Sequence, residues 1–130
     1  MKPSVMLTIA SLLSILFSIF HLADDMVHGM FPGGLPNIAV VLLLVVWLYA
    51  TLLLTERRSG YVIILVLSLF VSGVSVLHMR GAGGMTAGIK SGGGFFFAFT
   101  LFALDMTALL SVILSVRGLW NLKRQPNHPT

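Results

Sequence analysis

IAVVLLLVVWLYATLLL, Ile38 to Leu54, is followed by TERRSG, Thr55 to Gly60, and then by YVIILVLSLFVSGVSVL, Tyr61 to Leu77. Neither apolar run contains an acid or a base, and each approaches the roughly 20 apolar residues that an α-helix needs to cross a bilayer. A connection of about six residues is too short for anything but a tight link between adjacent helices. The stretch therefore predicts an antiparallel hairpin of two membrane helices. The three charges of the segment, Glu56, Arg57 and Arg58, all fall in the link.

Working outward, two further runs have the same character. One extends from about Ser4 to Leu22, the other from about Phe95 to Leu119 with Asp105 inside it. Four spans consume most of the 130 residues, so the expected architecture is all-α, a single four-span antiparallel bundle with no second domain. No internal repeat is evident. The first run is longer than a signal-peptide core, and His21-Leu22-Ala23-Asp24 after it lacks a small-x-small cleavage pattern. It reads as an uncleaved anchor.

The composition agrees. The chain is 57% hydrophobic and 9% charged, with a mean hydropathy of +1.00, whereas a soluble domain carries about a quarter of its residues charged. Disorder is excluded by the same apolar excess. The chain has no cysteine, so disulfides, thiolate metal sites and cysteine nucleophiles are excluded together. The net charge of +4 does not indicate nucleic acid, because the basic residues are scattered at the ends of apolar runs, where they report topology.

Lys2, Arg57, Arg58, Arg117, Lys123 and Arg124 define one side, and Arg80 with Lys90 the other. By the positive-inside rule both termini are expected in the cytoplasm, with Tyr61 and Trp120 at the cytoplasmic interface. The basic tail from Arg117 to Arg124 reads as an anchor on anionic lipid. The layout is similar to that of many small four-span bacterial membrane proteins, and a bacterial inner membrane is the expected location.

The two outer loops are chemically distinctive. The first ends in Phe31-Pro32-Gly33-Gly34-Leu35-Pro36, where prolines are expected to stop any helix. The second, from His78 to Gly94, is rich in glycine, with Phe95, Phe96 and Phe97 expected to anchor its return at the interface. Within it, Gly83-Gly84-Met85-Thr86-Ala87-Gly88-Ile89-Lys90-Ser91 departs from the phosphate-loop spacing because Ile89 separates Gly88 from Lys90. No nucleotide is expected.

On the first helix Thr8, Ser11, Ser14, Ser18, His21, Asp25 and His28 recur at intervals of three or four and share one face. The lower part is expected to be a packing seam of small polar residues. If the helix continues, His21, Asp24, Asp25 and His28 cluster at its outer end, and His78 of the third span lies on the same side of the membrane. Imidazole and carboxylate at this spacing are ligands for a divalent metal, and Met26, Met30, Met79 and Met85 nearby would favour copper. A bis-histidine haem between His21 and His78 fits the geometry, although no other feature marks it. Against these stands a plain helix end whose carboxylates pair with Arg80 or Lys90 and do no chemistry.

Asp105 lies about ten residues inside the fourth span, roughly 15 Å deep, where a carboxylate must face protein, water or a proton. It sits about 200° from Thr107, off the small polar face of Thr100, Thr107, Ser111 and Ser115. No serine has a hydrolase setting. The leading expectation is a noncatalytic accessory or assembly component, alone as a homo-oligomer or within a larger membrane complex. A metal-handling or ion-transport protein using the outer cluster is the first alternative, and a small enzyme with His/Asp acid-base chemistry the second.

Overall fold

The computed structural model describes residues 2–29, 34–80, 90 and 94–124, with side chains in all of these but 74–80. Among the described residues the protein is all-helical, with four long helices and no strand. They are α1 (Pro3–Val27), α2 (Leu35–Leu53), α3 (Arg58–Arg80) and α4 (Gly94–Arg124). Three of them, α1, α2 and α4, are long and apolar enough to cross a membrane, and α3 is apolar from Arg58 to Gly73.

The helix ends follow from local chemistry. Pro3 opens α1 and Pro36 stands in the first turn of α2, positions where the missing N–H has no intrahelical partner to lose. Pro36 was expected to stop a helix and instead starts one. At the other end of α1, Gly29 adopts φ +66°, and its N–H donates to the Met26 carbonyl at 3.2 Å. That left-handed turn ends the helix. Consequently α1 runs five residues past the expected span end at Leu22, to Val27.

Packing has an inside-out pattern. The interior holds Ser11, Ser14, Thr51, Ser68, Thr100, Ser111 and Ser115, all essentially inaccessible, beside Leu7, Trp47, Ile64, Leu101 and Ala108. The outer surface is built from Leu42, Leu53, Phe70, Phe102, Ile113 and similar side chains. In water this exchange would be ruinous, because it exposes apolar area and buries polar groups. Beside lipid it is the expected arrangement, since the tails are as apolar as leucine and small polar residues let helices approach.

The α4 helix packs most extensively, against α1 on one side and α3 on the other. Phe17 meets Phe99 edge-on with ring centroids 6.1 Å apart, and Phe20 meets Phe96 at 6.4 Å. Near the opposite end the ring of Tyr61 lies directly over Gly118, where no side chain would fit. Ser4 and Thr8 of α1 share a depression with Thr51 and Arg57. The start of α1 therefore lies near the end of α2, and the start of α3 near the end of α4.

The α2 helix is attached differently. Of its 19 residues only Trp47, Ala50 and Thr51 are buried, and a closed set of hydrogen bonds holds them. The Trp47 indole N–H donates to Ser11 Oγ at 2.8 Å, Ser11 Oγ lies 2.7 Å from Thr51 Oγ1, and Thr51 donates to the Trp47 carbonyl at 2.8 Å. Since the Thr51 hydrogen goes to that carbonyl, the Ser11 hydroxyl donates to Thr51. Every donor in the triad is satisfied. The link to α3 is tight as well, because the position a Gly60 Cβ would occupy is taken by the Leu54 carbonyl.

Two substitutions test this account by unfolding in mixed SDS micelles. Ser11→Ala leaves the buried indole N–H unpaired and is expected to cost about 1–2 kcal/mol. Ser14→Ala removes only a bond to the Ala10 carbonyl of its own helix, so about 0.5 kcal/mol or less is expected. Equal losses would contradict the triad's role. Gly60→Ala should cost about 1–3 kcal/mol by overpacking, whereas Gly73→Ala, with open space around it, should not destabilise.

Candidate functional site

The outer turns of α1 carry the ligand-type side chains, and the continuation of the helix to Val27 decides how they are arranged. At 100° per residue, His21 and Asp25 fall on one flank and Asp24 and His28 on a neighbouring one. The structure shows these two pairs separately. His21 Nε2 is 3.8 Å from Asp25 Oδ2, and His28 Nδ1 is 3.4 Å from Asp24 Oδ1.

The inner pair is the more enclosed. His21 is 4% exposed and Asp25 5%, and His21 faces α4. The imidazole packs on the Phe97 ring with centroids 5.1 Å apart. Its Nδ1 lies 3.4 Å from Thr100 Oγ1. Thr100 Oγ1 also lies 3.0 and 3.1 Å from the carbonyls of Phe96 and Phe97. On the other side of the ring, Nε2 faces Asp25. The whole group is a wedge of α1 held in the first turns of α4.

The outer pair has a local task. His28 Nδ1 donates to the Asp24 backbone carbonyl at 2.9 Å, and the His28 backbone N–H donates to the same carbonyl at 3.1 Å. Two donors from one residue thus satisfy a carbonyl at the helix end, where carbonyls lack intrahelical partners. His28 caps α1. The sequence signal for this was His28-Gly29, a basic residue in the last turn before a glycine. One oxygen of Asp24, Oδ2, is buried with no hydrogen-bond partner among the described residues.

Among the described residues no group of three or more His, Asp or Glu converges as a metal ion requires. His78 belongs to α3, and its side chain lies outside the described residues, as do Met30, Met79 and Met85 and most of the glycine-rich loop. A bis-histidine pairing of His21 with His78 falls outside them too. Met26 is exposed on α1. Lys90 is exposed, and the partners described for Asp24 and Asp25 are the histidines one turn along the same helix.

Of the three phenylalanines expected to anchor the loop's return, Phe95 is 85% exposed but Phe97 only 1%. Phe97 is a core residue that supports His21, because it points toward α1 from the first turn of α4. Asp105 is half-buried. It stands one turn from buried Leu101 and three residues before buried Ala108, so it borders the packed face of α4. Thr100, Ser111 and Ser115 are buried along that face while Thr107, half-buried, bonds back to Ala103 at 2.9 Å.

The two histidines should therefore separate in a stability measurement. His21→Ala is expected to cost about 2–3 kcal/mol, by removing packing on Phe97 and stripping a buried carboxylate of its partner. His28→Ala, on a more exposed cap, should cost about 1 kcal/mol or less. Equal costs would be incompatible with the wedge. The chain matches no known family model, no curated protein and no solved structure.

Proposed function

We propose that this protein is a noncatalytic component of a membrane assembly, spanning the bilayer four times as an antiparallel bundle with both termini in the cytoplasm of a bacterial cell. The observation that carries the reading is α2. It is a 19-residue apolar helix with three buried residues, and Val41, Leu42, Val45, Leu52 and Leu53 stand exposed along it. A helix so lightly bound to its own chain offers a large, continuous face to other membrane helices. The collection of basic residues at one end supports the orientation.

The absence of cysteine makes the topology directly testable. In intact cells an impermeant maleimide should label Lys90→Cys from outside, and label Ser59→Cys only after permeabilisation. The reverse pattern would invert the orientation. For the assembly, protein extracted in mild detergent should carry a mass well above the 14.1 kDa of one chain. Leu42→Ala/Val45→Ala should reduce that mass without unfolding the bundle. A single chain in both preparations would refute the reading.

A second reading, cation handling at the outer end of α1, is favoured by one observation: two His/Asp pairs occupy adjacent flanks, and Asp24 Oδ2 is buried without a hydrogen bond among the described residues. Its candidate ligands are His21, Asp24, Asp25, His28 and His78. Metal analysis and a visible spectrum beside a His21→Ala/His28→Ala control decide it. Near-stoichiometric metal or a haem band that disappears in the control would favour it over the accessory role.

A further inference from the structure

The last turns of α4 carry a feature that neither the bundle packing nor the outer cluster uses. Val112, Ile113, Val116, Arg117 and Trp120 line a shallow, open depression of about 470 Å³ along the outer face of the helix. Three of the five are aliphatic and lie toward the middle of the span. Arg117 and Trp120 close the end near the helix terminus. An almost wholly apolar trough with Arg117 and Trp120 at its terminal end follows the order of a phospholipid, from acyl chain to headgroup.

Charge supports an anionic occupant. No acid lines the depression, and Lys123 and Arg124 follow within the same helix. Arg124 places its guanidinium 5.2 Å from the Trp120 ring centroid, a cation–π contact that holds the indole beside the groove and adds positive charge. The depression between α1 and the α2–α3 link provides a contrast. It contains Arg57, but Glu56 lines it too, so its charge is offset. Free phosphate would use Arg117 alone and leave the aliphatic part of the trough without a purpose.

We propose that this face of α4 is a binding site for one anionic phospholipid of the cytoplasmic leaflet, its phosphate held by Arg117 with Trp120 and one acyl chain laid along Val112, Ile113 and Val116. The proposal rests on membrane insertion of α4 and is independent of any assembly partner. It differs from general attraction of a basic tail because it assigns the selectivity to Arg117.

The test uses the full chain reconstituted in vesicles of equal parts phosphatidylglycerol and phosphatidylcholine, with bromine on the acyl chains of one lipid or the other. Trp120 emission is obtained by subtracting the signal of a Trp120→Phe protein, which retains Trp47. Quenching by brominated phosphatidylglycerol about fivefold stronger than by brominated phosphatidylcholine is expected. Arg117→Gln should reduce this to no preference, while Lys123→Gln keeps most of it. An unchanged Trp47 signal verifies that each variant is folded. Quenching in proportion to mole fraction would overturn the site. Loss of preference in the Lys123→Gln variant alone would assign it to the tail and overturn it equally. Displacement by inorganic phosphate would make the ligand a free anion. No quenching by either lipid would instead refute insertion of α4, a failure distinguishable from the others.

Discussion

A hydroxyl buried between apolar helices has no water to turn to, and the rest of this structure depends on how most of those hydroxyls, Ser68 and Ser115 apart, find partners among the described residues. Thr8, Ser14, Ser18, Thr107 and Ser111 donate to carbonyls one turn back on their own helices. A bond of this kind costs the backbone little and needs no neighbour. It turns a polar residue into a small, self-contained surface. Helices lined with such residues approach closely, and dispersion between them replaces the hydrophobic drive that lipid removes. The α1–α4 seam is made this way.

Elsewhere hydroxyls bond across helices instead. Trp47, Ser11 and Thr51 bind α2 to α1 through a circuit in which each donor has one acceptor. Because few other side chains of α2 are buried, this triad has an influence on its position out of proportion to its size. The same economy leaves most of the α2 surface apolar and open. A tightly packed pair, α1 with α4, thus supports a peripheral helix whose outer face is free for lipid or for another helix.

The outer end of α1 shows how one helix turn divides a set of similar residues. Asp24 and Asp25 are neighbours in sequence yet face 100° apart. Asp25 is buried beside His21, which packs against Phe97 and Thr100, while Asp24 engages the capping histidine. Identical residue types therefore serve packing in one pair and helix termination in the other. The membrane reading of the protein does not depend on either pair, whereas any chemistry assigned to this end does.

Much of the architecture was legible in the sequence because it rests on one-dimensional quantities. The lengths of the apolar runs set the helices, and the recurrence of Thr8, Ser11, Ser14, Ser18, His21 and Asp25 at three or four residues identified an inward stripe whose members are buried or half-buried. The sequence was less informative wherever a role depended on a neighbour from a distant segment. Pro36 starts a helix because Gly34, with φ +90°, turns the chain before it, Phe97 is core because His21 of α1 packs on its ring, and Thr100 meets the His21 imidazole from 79 residues away. Periodicity identifies which residues share a face, since that is a property of one helix. Which face meets which, and at what depth, is set by packing between helices, and only the tertiary structure decides it.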